Sequence, residues 1–211
     1  SETTPAEYNG TFAEVSAQAK RSGGFVMTGH TTKAIAAQGT KTDVAVTLER
    51  TVAKIAVQAS TTAEFSERYS GKVRINSAVL SKAASRSNLI AQQTPNTGPM
   101  TFTHTQAADE LSGKFRNLFY VPENGELAEG SRLLLTLGAT YDRDGNFSTT
   151  DDQAEVAYPV ELSGDGAGRF LRNGYYRVQA LIDGLTGSEL SVSISVADWE
   201  APVTQSVNLG Q

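Results

Sequence analysis

Residues Thr42 to Ala59, TDVAVTLERTVAKIAVQA, alternate apolar and polar side chains twice over, and the two halves are out of step. Val44, Val46 and Leu48 hold even positions, whereas Ala53, Ile55 and Val57 hold odd ones. In a strand, successive side chains point to opposite faces, so an apolar set lines one face only while its parity is kept. A continuous strand cannot change its buried face without a bulge or a move to another sheet. The slip at Glu49 to Thr51 therefore predicts a bulge or a domain crossing.

Period-two patterns also dominate the remainder of the chain. Strands are expected at Lys72–Leu80, Met100–Thr105, Arg116–Val121, Arg132–Tyr141, Ala154–Leu162, Tyr175–Leu185 and Leu190–Val196. Between them stand turn sequences: NTGP at Asn96, PENGE at Pro122, DRDGN at Asp142, SGDGAG at Ser163 and LTGS at Leu185. Regularly spaced strands joined in this way describe an all-β chain folded as a β-sandwich. Helix signals are few. TFAEVSAQAK has capping-box spacing from Thr11 to Glu14 and an apolar stripe through Phe12, Val15 and Ala19, which predicts one short helix over 11–20. TTAEFSER repeats the capping spacing from Thr61 and allows little more than a turn. At 211 residues the chain suits one complete domain plus a smaller one.

The chemistry-bearing residues are sparse. A net charge of −5, with neither sign in blocks, argues against a nucleic-acid surface. There is no cysteine, so disulfides and thiolate sites are excluded. No apolar run approaches the ~20 residues of a membrane-spanning helix. His30 and His104 stand beside threonines on expected loops or exposed strand faces, with no spacing that pairs them as ligands. DRDGN has the first part of a calcium loop, Asp142, Asp144 and Gly145, but Asn146 comes one place early and the bidentate glutamate is missing, so a hairpin turn accounts for it better. Gly164, Gly166 and Gly168 lack a Walker lysine and a following helix pattern, and read as a flexible inter-strand loop. Phe119 and Tyr120, running into Pro122, are candidate ligand contacts for a stacked sugar, although strand aromatics usually serve packing. No residue is assigned to a catalytic, cofactor or metal site, and an enzyme is not expected.

The last stretch, SVSISVADWEAPVTQSVNLGQ, poses a packing question. After the strand ending at Val196, Trp199, Ala201, Val203, Val207 and Leu209 share one parity, and no later sequence here could cover that face. Ordering about ten residues costs on the order of 10–20 kcal/mol of backbone entropy. Burying Val203, Val207 and Leu209 returns roughly 5–9 kcal/mol. The segment therefore needs a ladder of hydrogen bonds as well. It either completes the chain's own sandwich as an edge strand or is donated to another subunit.

Several segments together resemble a known family. RTVAKIAVQ at Arg50, LFYVPENG at Leu118, RNGYYRVQALIDG at Arg172, SVADWE at Ser195 and GGFVMTG at Gly23 are similar, in order and spacing, to segments of the Bacteroidales fimbrillins, the subunits of type V pili. The resemblance implies transthyretin-like β-sandwiches, export as a lipoprotein to the outer membrane, and protease trimming that opens a groove for a neighbour's terminal strand. The donor strand would map to Val203–Leu209, with Trp199, Val203, Val207 and Leu209 as its subunit-interface residues. Residues 1–50 would be the latter half of an N-terminal sandwich whose beginning is absent, and 51–211 a whole C-terminal sandwich. The implied function is a structural pilin of a cell-surface fimbria, with other pilin subunits as partners and no cofactor. The alternative is a surface or tip adhesin that binds host protein or glycan.

Overall fold

The computed structural model describes residues 7–8, 25–88, 90–91, 95, 100–107, 117–197 and 203–208. The helix expected over 11–20 lies outside them. Among the described residues thirteen strands and one helix follow in the order β1 (Glu7–Tyr8), β2 (Met27–Thr28), β3 (Asp43–Arg50), β4 (Val52–Thr61), α1 (Ala63–Arg68), β5 (Lys72–Ala83), β6 (Ser87–Asn88), β7 (Phe102–Ala107), β8 (Asn117–Pro122), β9 (Leu134–Asp142), β10 (Gln153–Glu161), β11 (Tyr175–Ile182), β12 (Leu190–Ala197) and β13 (Val203–Asn208). Two four-stranded sheets, ordered β10-β9-β5-β7 and β12-β11-β4-β8, make the β-sandwich. A three-stranded sheet, β13-β3-β2, stands apart from them, and β1 pairs with β6.

The parity slip is a change of sheet. β3 ends at Arg50 in the three-stranded sheet, and β4 begins at Val52 at the centre of the sandwich, with buried Thr51 between them. Every strand named from alternation is present, with ends shifted by a few residues. The core is the alternating inner row of each central strand: Ala53, Ile55 and Val57 of β4, Tyr176, Val178, Ala180 and Ile182 of β11, and Leu135, Leu137 and Ala139 of β9. β4 and β11 pair in parallel, whereas every other sandwich pairing is antiparallel.

β5 needed a device that its sequence hides. Val73 and Ile75 are buried at odd positions, then Ala78 and Leu80 at even ones, because Asn76 is an extra residue between the pairs Ile75↔Ala139 and Ser77↔Gly138. The bulge lets both halves of the strand face the core. Gly138 accommodates it, since a Cβ there would lie 2.5 Å from Ser77 Oγ.

Two local expectations are corrected. The cap of α1 is Thr62, whose hydroxyl accepts from Phe65 N–H at 3.3 Å, and not Thr61. SGDGAG is a tightly bonded turn and not a flexible loop: the Gly166 and Gly168 N–H groups both donate to Ser163 O, at 2.9 and 2.8 Å, and Asp165 pairs with Arg169 at 2.9 Å. Gly164, Gly166 and Gly168 all take positive φ, which is the conformational freedom this turn requires.

Candidate functional site

β3 alternates exposed and half-buried residues along its whole length, and none of them is buried. Asp43, Ala45, Thr47 and Glu49 are exposed, and Val44, Val46, Leu48 and Arg50 are half-buried. In the next strand Ala53, Ile55 and Ala56 are completely buried. The physical reason is position: β3 belongs to the three-stranded sheet and to neither sheet of the sandwich.

What β3 does meet is the terminal strand. β13 pairs with it antiparallel, Val203 opposite Leu48, Gln205 opposite Val46, Val207 opposite Val44 and Asn208 opposite Asp43. Directly opposed residues share a face of an antiparallel ladder. Two of the positions expected in the donor strand, Val203 and Val207, thus hold register with the apolar row of β3, and the pairing is within one chain. Trp199 and Leu209 lie outside the described residues. On the other edge of β3, Met27 stands opposite Arg50 and Thr28 opposite Glu49. Gly29 is needed there, since a Cβ would lie 2.0 Å from Thr47 O. A cavity of about 300 Å³ opens beside this edge, lined by Thr28, Gly29, His30, Thr47, Glu49 and Ile90.

A polar joint fastens the small sheet to the sandwich. Arg172, in the loop before β11, donates from Nε to Glu123 Oε1 at 2.9 Å and from Nη2 to Ser87 Oγ at 3.1 Å and Asn88 O at 2.7 Å. Its Nη1 reaches Thr28 Oγ1 at 3.5 Å. The neighbouring Asn173, at φ +57, accepts from Arg50 Nη1 at 3.2 Å. Thr51 N–H donates to Val26 O at 3.1 Å. The segment RNG within RNGYYRVQALIDG thus supplies the joint, a role that alternation does not disclose.

Phe119 and Tyr120 are not available as stacking faces. Phe119 is wholly buried in the core, and Tyr120 is 7% exposed on the outer face of its sheet, where Phe25 covers it at a ring separation of 4.6 Å. Strand β8 alternates faces, so the two rings go to opposite sides and both are used in packing. His104 is likewise buried, on β7 between Phe102 and Phe119, and burial pushes its imidazole down to about 3; His30 is exposed as expected.

The turn at DRDGN gathers three carboxylates, Asp142, Asp144 and Asp152, with oxygens within 4.8 Å of one another. Asn146 N–H donates to Asp142 Oδ1 at 2.8 Å and to Asp144 Oδ1 at 2.7 Å, and Asp144 N–H donates to Asp152 Oδ2 at 3.0 Å. Burial raises Asp142, but bonds from the Gln153 amide, Asp144 and two backbone N–H groups outweigh it and hold its carboxyl below the usual range. These are the residues that could hold a cation. Asp152 was not foreseen, because its place in the cluster comes from the pairing of β9 with β10.

No protein-family model matches the chain, and no curated protein matches it. Solved structures do. Among them are a proposed cell-adhesion protein of Parabacteroides distasonis (16% identity, TM-score 0.49, covering 77% of this chain and 53% of that one). Another is a proposed cell-adhesion protein of Bacteroides eggerthii (15%, 0.49, 73% and 57%). A third is a fimbrilin of Porphyromonas gingivalis (17%, 0.47, 72% and 59%). The chain spans from 53% to 59% of the length of these three proteins. Among the described residues no helix is long and apolar enough to cross a membrane. In its sequence segments and among solved structures, the chain is similar to the fimbrillins and related proteins of Bacteroidales.

Proposed function

We propose that this protein is a structural subunit of a bacterial cell-surface fimbria, reached through a lipoprotein precursor, and that its subunits join by donation of the terminal strand at Val203–Leu209. The observation that carries the reading is the pairing of β13 with β3 in a sheet outside the core. A strand whose ladder partner among the described residues is β3 alone can leave without opening the sandwich, because none of the residues of β3 is buried. β3 would then offer a neighbour's β13 the same ladder and the same register, with the intrachain pair as the resting arrangement. Exchange of an identical element between copies needs no new contact chemistry.

Deletion of Pro202–Gln211 should leave a folded protein that no longer forms fibres, read by circular dichroism and electron microscopy. Loss of folding on that deletion would instead make β13 an intrinsic part of the fold. A peptide of Val203–Gln211 in excess should compete with assembly, and undiminished fibres at high excess would count against donation.

A further inference from the structure

β12 ends its sheet. It pairs with β11 over its whole length, Leu190↔Ile182 to Ala197↔Tyr175, and no strand lies on its other side among the described residues. Such an edge is a row of unpaired N–H and C=O groups, which proteins ordinarily guard with proline, charge, a bulge or brevity. The other ends of the sandwich sheets are guarded. β10 carries Pro159, Glu155 and Glu161, and β8 ends at Pro122. β7 is six residues long and meets β5 across a register shift, and its Gln106 amide donates to Leu118 O of β8. β12, LSVSISVA, has no proline, no charge and no break in register.

The accessible part is its second half. At the first end the loop that leads into β12 lies against β10: Tyr158 OH donates to Gly184 O at 2.8 Å, and a Cβ on Gly187 would lie 2.8 Å from Ala157 O. Further along, Val196 belongs to the same core-facing row as Leu190, Val192 and Ile194, which pack on the core, yet it is 59% exposed. The serines between them, Ser191, Ser193 and Ser195, are exposed.

We propose that this edge pairs antiparallel with β12 of a second copy of the chain, about a two-fold axis, joining two four-stranded sheets into one. The alternation favours a copy over an unrelated strand. With the axis at Ser193, Ser191 faces Ser195, Val192 faces Ile194 and Leu190 faces Val196, so serine meets serine and apolar meets apolar throughout. An axis at Ser191 or Ser195 would leave a single apolar pair, Leu190 with Val192 or Ile194 with Val196, so the sequence favours the axis at Ser193. A neutral strand also meets no like charge in its copy, which would weaken cross-strand pairing. Both strands are already extended in folded sheets, so the backbone ordering cost of a free peptide, ~1–2 kcal/mol per residue, does not arise. The contact is isologous and closes at a dimer. It involves neither β3 nor β13, and so stands apart from strand donation.

The chain has no cysteine, so single introduced thiols report the contact cleanly. In the full chain, light scattering should give the mass of a dimer. Among Ser191→Cys, Ser193→Cys and Ser195→Cys, the variant at the axis should form the disulfide-linked dimer in clear excess over the others. The double variant Ser193→Lys/Ser195→Lys should halve the mass while keeping the wild-type melting temperature, and deletion of residues 203–211 should leave the dimer intact. A monomer at high micromolar concentration with no preferred cysteine overturns the proposal. So does a dimer that survives the double lysine variant, or one that is lost with residues 203–211, which would identify exchange of β13.

Discussion

Replacing Arg172 by methionine probes the joint between the small sheet and the sandwich. The side chains of Arg172 and Glu123 are each 5% exposed, and the guanidinium also bonds Ser87, Asn88 and Thr28. Arg172→Met removes the cation and leaves the Glu123 carboxylate buried with no opposite charge. Breaking a buried pair from one side costs about 3–5 kcal/mol, since the surviving charge keeps its desolvation penalty and loses its compensation. With a urea slope of about 2 kcal/mol/M, the unfolding midpoint should fall by roughly 1.5–2.5 M. Glu123→Leu should cost a similar amount. The double variant Arg172→Met/Glu123→Leu should recover most of the loss, because neither charge is then buried, and a double-mutant cycle in urea measures that coupling. A loss below about 1 kcal/mol for Arg172→Met, or a double variant as unstable as the sum of the singles, would refute the assignment of this pair as the joint.

Other residues give sharp expectations. His104 has a folded value near 3 against 6.5 in the unfolded chain, so as pH falls below 6.5 the unfolded state binds a proton that the folded state refuses. Stability should therefore drop by about 1.4 kcal/mol per pH unit between pH 6 and 4, and His104→Phe should flatten that slope in urea melts at a series of pH values. Gly71→Ala would place a Cβ 2.0 Å from Asp142 O, at the close approach of β5 to the end of β9. It should cost roughly 1–3 kcal/mol, measured as a lowered melting temperature, and an unchanged one would mean that the approach relaxes freely. Tyr158→Phe removes the buried hydroxyl that donates to Gly184 O at 2.8 Å, and should cost about 1–2 kcal/mol by the same measurement.

The strands were legible because their cause is local. Alternation in Thr42–Ala59, Arg132–Tyr141 and Tyr175–Leu185 reports which side chains must leave water, and turn residues report where the chain can reverse. The turn at SGDGAG was visible as a turn, but its rigidity was not, because that depends on bonds to Ser163 and Arg169 that form only when the loop closes. Phe119 and Tyr120 read equally well as a binding platform or as packing. Their burial was settled by Phe25 and the core, and neither is a neighbour in sequence.

Taken alone, the sequence determined that the chain is all-β, where most strands run, and that its buried face changes within Glu49 to Thr51, since parity and turn chemistry act over a few residues. Tertiary structure decided which strands pair, and with that everything non-local. It set the parallel β4–β11 centre and the bulge at Asn76, and placed Asp152 beside Asp142 and Arg172 beside Glu123. It also put β3 in a sheet outside the sandwich and left Val196, at the far end of the β12 edge, exposed. An apolar row in a strand states only that a cover is required, and the identity of that cover is fixed by the arrangement of sheets in space.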